Sequence, residues 1–213
     1  MITEAQFAEW RDGLPPDQKA AVERVHRTDV RLAYKLYPHP PGPPDTSICI
    51  HEAGHAAAMH AFGIRVDHTF AKDSHGAVLP APHDPSKPYN WIALGVMVLA
   101  GDMAEPERTL TQADWRETVE GKRADATSDE KAAIIFAIAL AGFDAGTEEL
   151  LSRIVQFWNV AVDMFAAPGF WPSVYAVSAI LRRDGRIEGE QVHELCEQHL
   201  PFGSLVHLTQ DIK

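Results

Sequence analysis

The segment PHPPGPPD, residues 38–45, limits what this chain can fold into more than any other stretch of its length. Proline has no amide hydrogen and a fixed φ, so the run can enter neither a helix interior nor a central strand. It reads as a stiff connector dividing the chain in two. Residues 1–44 are expected to form an arm of two short helices, around 3–11 and 16–36, ending in this connector. Residues 45–213 form the main domain. A chain of 213 residues suits one domain, or a domain with a small extension. At that size about 70% of the unfolded surface can be buried.

Charge and composition remove several classes of function. A net charge of −11 argues against nucleic acid and anionic membrane surfaces as partners. Two cysteines, Cys49 and Cys196, do not make a disulfide framework. The opening MITEAQFAEWRDGL lacks the basic start and apolar run of a signal peptide. The longest apolar runs, 91–101 and 132–143, fall short of the ~18 residues a membrane span needs. The expectation is a soluble, cytoplasmic chain.

Residues 51–55 read His-Glu-Ala-Gly-His. On a helix, residues four apart share a face, so His51 and His55 can each offer a ring nitrogen to one metal ion. Glu52 sits one step round, where its carboxylate can reach a water on that metal without being a ligand. With 11 histidines in the chain, random order gives roughly 0.04 such matches, so the surroundings matter.

Those surroundings are helical. Asp45, Thr46 or Ser47 caps a helix that runs to about Phe62 and stops at Gly63. Gly54 inside it costs about 1 kcal/mol against Ala, which points to a close neighbour. IRVDHTF (64–70) and HGAVLPAP (75–82) read as a hairpin turning at KDS, with Pro80 and Pro82 placing the second strand at an edge. Tyr89 to Glu105 is apolar on nearly all faces and reads as a buried helix stopped by Pro106. The charged stretch 107–128 reads as a long loop. Thr127 and Glu130 form a capping-box pair that opens a helix over 128–142. Further helices are expected at about 146–166, 171–183 and 187–199, with Asp184-Gly185 turning between the last two.

A catalytic zinc usually takes three protein ligands and one water. Asp129, in the first turn of a helix entered from a loop, is the first choice for the third ligand. Glu105 comes next, and Asp102 and Asp125 follow. An acidic residue at a helix start also serves the helix dipole, so the residues alone favour Asp129 only slightly.

Four stretches, in order, resemble the peptidase domain of the FtsH-type zinc metalloproteases. HEAGHAAA (51–58) is similar to that family's signature, with His51 and His55 at the zinc ligands and Glu52 at the catalytic glutamate. LAGDMAE (99–105) resembles its L-A-G-R-x-A-E segment. ATSDEKAA (126–133) resembles the segment whose Asp completes the zinc site, and that Asp falls on Asp129. SAILRRDGRIEGEQVHEL (178–195) is similar to its closing helices. The resemblance covers about 45–199 and implies a zinc-dependent metallopeptidase. It also implies that Gly76, Ala77, Val78 and Leu79 match the strand that lines the substrate. Asp102 stands where the family has Arg, Pro106 where it has a second Glu, and Asp125 where it has Gly. No G-x-x-x-x-G-K-[ST] phosphate loop occurs in the sequence.

The other histidines and Cys196 have plainer readings. His60 lies nine residues past His51, about half a turn round the helix, and reads as a surface or packing residue. His193, Cys196 and His199 drift around a terminal amphipathic helix rather than converging. Cys49 points away from His51 and reads as a small buried residue. His75 and His83 read as loop histidines flanking the edge strand.

The expected fold is α+β: a mainly helical, zincin-like peptidase domain with a small β-sheet next to the HExxH helix. The expected function is hydrolysis of peptide bonds in flexible or unfolded polypeptides, with Zn2+ held by His51, His55 and Asp129 and with Glu52 as general base. A zinc-binding regulatory or interaction protein with little hydrolysis is the alternative. A homo-oligomer or a separate ATPase partner is compatible with either.

Overall fold

Every residue from Cys49 to Phe62 is buried, so the helix carrying the HEAGH segment, α1 (Thr46–Ala61), forms the axis of the core. The computed structural model describes residues 46–72, 75–84, 86–105 and 112–210. The expected arm and connector, 1–44, and the expected stop at Pro106 lie outside them. A helix surrounded on all sides needs small residues where neighbours come closest, and α1 supplies Ala53, Ala56, Ala57, Ala58 and Gly54. A β-carbon on Gly54 would lie 2.6 Å from the Ala100 carbonyl oxygen and 2.8 Å from the Ala104 β-carbon. The close neighbour expected there is therefore α2 (Trp91–Ala104), which runs antiparallel to α1.

α2 starts with Asn90, whose side chain accepts a hydrogen bond from the Ala93 amide at 3.0 Å. Its apolar sequence WIALGVMVLAG suits a helix packed between α1 on one side and two later helices, Ser128–Ala141 and Thr147–Ala166, on the other. A β-carbon on Gly95 would meet the fully buried Phe157 ring at 2.5 Å, so this glycine admits one of the large aromatic side chains of the core.

The stretch between these helices forms the expected hairpin, β1 (Val66–Lys72) and β2 (His75–Pro80). Its register sets Thr69 opposite Val78 and Ala71 opposite Gly76. A third strand, β3 (Arg186–Glu188), pairs antiparallel on the other side of β1, giving the order β2-β1-β3. The expectation of a turn leading straight into a helix at 187 is corrected here. Gly185 takes the left-handed conformation that ends the preceding helix, and the next three residues pair with β1 before helix resumes. Arg186-Ile187-Glu188 is too short to show alternation as a strand. Its single buried side chain, Ile187, decides the pairing.

The charged stretch read as a long loop contains α3 (Gln112–Val119). Among its described large side chains only Trp115 is buried, so no apolar stripe announces a helix. Tertiary contact supplies what the pattern lacks, including a two-pronged ion pair from Arg116 to Glu148.

The remaining helices follow the sequence closely. α4 (Ser128–Ala141) opens with both hydrogen bonds of the Thr127–Glu130 capping box. α5 (Thr147–Ala166) and α6 (Phe170–Asp184) turn by 86° at the break between them, and α7 (Gly189–Glu197) follows β3. A 3-10 turn, Val206–Thr209, joins the end of the described chain to the start of α2 through Thr209 and Asn90. Among the described residues no single helix is long and apolar enough to cross a membrane. The arrangement is mainly helical with one small antiparallel sheet, which is α+β in outline.

Candidate metal centre

Two helices and one capping motif build the site. Spacing of four places His51 and His55 on one face of α1, their rings edge-to-face with centroids 4.6 Å apart. The capping box fixes the first turn of α4, and Asp129 in that turn points at both rings. The contacting atoms form a small triangle. His51 Nε2 is 2.9 Å from His55 Nε2 and 2.9 Å from Asp129 Oδ2, and His55 Nε2 is 3.3 Å from that same oxygen.

The outward-facing nitrogens decide what those atoms are. His55 Nδ1 lies 2.7 Å from the Met97 carbonyl oxygen, which can only accept, so Nδ1 carries the hydrogen and donates it. His51 Nδ1 faces acceptors as well, Glu105 Oε1 at 2.9 Å, off the ideal hydrogen-bond line, and Asp102 Oδ1 at 3.8 Å. With both hydrogens outside, two imidazole lone pairs and one carboxylate oxygen converge on one point. Three acceptors at such range repel unless a cation sits among them. Ligands at about 2.0–2.1 Å in a tetrahedron lie about 3.3 Å apart, close to the sides of this triangle. His51, His55 and Asp129 thus form a group that could hold a metal ion, with the histidines buried and Asp129 half-buried.

Protonation tells the same story. Burial by itself lowers the basicity of His51, but its close contacts with the carboxylates of Asp129 and Glu105 outweigh it and raise the pKa to about 10. In the metal-free protein the cation is therefore a proton on His51. Burial pushes the Asp129 carboxyl up, and its contacts with His51 and His55 more than reverse this, leaving it well below the usual carboxylate range. Glu52 is buried, and burial raises its pKa, opposed by the charges of His55 and His51. A raised carboxyl beside a cation site is the combination that suits proton transfer.

Space around the centre is kept by glycine. A β-carbon on Gly101 would run into the His55 ring and come 2.7 Å from His51 Nε2. One on Gly76 would lie 2.5 Å from Oε1 of Glu52, so β2 passes directly over the proposed base. Ala77, Val78 and Leu79 continue that strand away from Glu52, paired with Phe70, Thr69 and His68 of β1. Val78 turns into the core and Leu79 is exposed. Among the described residues, no strand pairs with the outer side of β2.

The other candidate ligands fall elsewhere. Glu105 and Asp102 stand behind His51 on its Nδ1 side, outside the triangle. Asp125 pairs with Arg123. The orienting role of Glu105 and of the Met97 carbonyl went unread in the sequence. Glu105 falls one helical turn after Gly101, a signal visible only once α2 is known to run antiparallel to α1.

His60 is fully buried, which settles its reading as packing rather than surface. It meets His193 of α7, while Cys196 is a buried free thiol. Among the described residues, His193, Cys196 and His199 form no ligand cluster. His83 stacks on Tyr89 with ring centroids 3.9 Å apart, a loop contact remote from the triangle in sequence and partners. Comparison of the chain with models of known protein families and with curated proteins finds no match.

Proposed function

We propose that this chain is a zinc-dependent metallopeptidase that hydrolyses peptide bonds in flexible or unfolded polypeptides, and that its fold is zincin-like and related to the FtsH-type peptidase domain. The observation that carries this reading is the convergence of His51, His55 and Asp129 beside a buried glutamate and beneath an open strand edge. The nitrogen and oxygen donor set and its small separations fit zinc. When bound, the metal would supply a Lewis acid that polarises a carbonyl and acidifies a water.

The chain's own residues do the rest. Glu52 takes the proton of the attacking water and delivers it to the leaving amine, so the base ends the cycle as it began. Met97 and Glu105 hold the imidazoles in the tautomer that keeps both Nε2 atoms facing inward. The outer edge of β2, which pairs with no strand among the described residues, can hydrogen-bond an extended peptide without demanding a particular sequence, and Gly76 brings that edge against Glu52. A folded target does not offer such a strand, so flexible segments are the expected substrates.

Metal analysis and digestion of a peptide library, wild type beside Glu52→Gln, test the reading. Both proteins should carry about one zinc per chain. The variant should lose roughly 10²–10⁴-fold in hydrolysis. Equal cleavage by the two proteins would sink the mechanism. Zinc bound by both with cleavage by neither would transfer the reading to a zinc-binding regulatory protein. Labelled peptides and a stable folded protein, each with and without ATP, test substrate form. Cleavage should be confined to the peptides and indifferent to ATP.

A further inference from the structure

We propose that Arg123 is a positioning residue for the metal centre: with Glu130 it forms a buried latch that holds the first turn of α4, and so Asp129, against His51 and His55. The inference rests on the metal-centre reading above. Glu130 is fully buried, and its neighbour Asp129 faces α1. Arg123 NH1 lies 3.1 Å from Glu130 Oε2, and NH2 lies 3.4 Å from Oε1, a two-pronged approach. The Thr127 amide also donates to Oε2, at 3.3 Å. The Arg123 side chain is itself only 12% exposed, and its Nε donates to Asp125 Oδ1 at 3.0 Å.

Two physical points make this more than a helix cap. A cation near a helix N-terminus opposes the helix dipole, so Arg123 is not there for the sake of α4. A buried carboxylate that loses a charged partner is destabilised, so the guanidinium supports Glu130 beyond the bond from the Thr127 amide. The capping box fixes the start of α4 relative to its own entry loop. Arg123, four residues before Thr127 in that loop, ties the body of the loop to the same turn through a charge that cannot be lost. Asp125, which departs from the glycine of the resembled family, becomes intelligible as the group that orients the guanidinium. Sliding or rolling the first turn of α4 would break this latch and lengthen the 2.9 Å and 3.3 Å contacts of Asp129 together.

Titration of the whole metal-free chain with Co2+ alone tests this, comparing wild type, Arg123→Met and Arg123→Lys. Arg123→Met should weaken binding about 10–100-fold, the usual effect of removing a group that supports a metal ligand. It should also alter the visible spectrum of bound Co2+, which reports ligand geometry, and speed amide exchange at Asp129–Lys131 in the metal-free protein. Arg123→Lys, which keeps the charge without the fork, should fall between. Wild-type affinity and spectrum in Arg123→Met would overturn the latch. If that variant fails to fold, Arg123→Lys decides: intermediate affinity supports the latch and unchanged affinity overturns it. Wild-type protein that takes up no Co2+ would overturn the metal-centre reading itself, a separate result.

Discussion

α1 takes part in two histidine pairs, one with both residues buried and one that joins buried His60 to half-buried His193, and they solve the same problem in opposite ways. Near its start, His51 and His55 bring their Nε2 atoms to 2.9 Å; near its end, His60 and His193 bring their Nδ1 atoms to 3.0 Å. At the second pair, His60 Nε2–H donates to the Leu200 carbonyl and the Val66 amide donates to His193 Nε2. One ring must then present a lone pair and the other a hydrogen, so His193 Nδ1–H donates to His60 Nδ1 and every nitrogen is satisfied with both rings neutral. At the first pair both outer partners are acceptors, so with both rings neutral both inner nitrogens are lone pairs facing a carboxylate. The partners of the outer nitrogens, not the histidines themselves, separate a pair that satisfies itself from one that could hold a metal ion. Space follows the same division. Gly101 keeps side chains away from the first pair, whereas Phe202 packs its ring edge against both imidazoles of the second, at 5.3 Å and 5.1 Å.

The largest test of this contrast is metal content. His51→Ala or His55→Ala should lose nearly all bound zinc and Asp129→Ala most of it, while His60→Ala keeps about one per chain. Elemental analysis after dialysis checks this, and full occupancy in Asp129→Ala would falsify its assignment. A subtler break leaves every ligand in place. Gly101→Ala should weaken zinc binding about 10–100-fold, because its β-carbon occupies the space of the imidazoles. Competition with a chromophoric chelator measures the affinity, and a wild-type value would show that the helices part easily.

The structural pair predicts effects on stability. His193→Ala or His60→Ala should destabilise the fold by about 1–3 kcal/mol, because each leaves buried groups without partners. Urea unfolding of the metal-free protein measures this, and an unchanged midpoint would mean the pair is incidental.

The smallest effect is one of pH. Burial lowers the His193 pKa to about 4, with the charges of His60 and Arg65 acting in the same direction. Burial lowers that of His60 too, opposed by its bond to the Leu200 carbonyl and by Glu197. Since the unfolded chain binds these protons more readily, the pair's contribution is complete above about pH 6.5. It declines as pH falls toward about 4, where His193 protonates in the fold, and nothing further is lost through His193 below that. Unfolding midpoints between pH 7 and 4 should therefore fall less steeply in a His60→Asn, His193→Gln double variant than in wild type. Parallel pH curves would remove the pair from the titration.

How much of this was legible beforehand depended on whether the deciding interaction was local. The HEAGH spacing, the Thr127–Glu130 capping box, the glycine stops and the hairpin are matters of helix pitch, capping and turn chemistry, and the sequence by itself determined them. Gly54 announced a close neighbour for the same reason, since a glycine inside a helix needs some compensation. The sequence could not say which face of His51 would meet Asp129 and which would meet Glu105, because that depends on α2 running antiparallel to α1. It could not show α3, where one buried tryptophan replaces a stripe, or β3, where three residues are held by pairing with β1. Nor could it separate the two histidine pairs. All four rings are the same chemical group, and only the tertiary structure decides whether a carbonyl, an amide or a carboxylate stands at each nitrogen, and so whether the two rings satisfy each other or converge where a cation could sit.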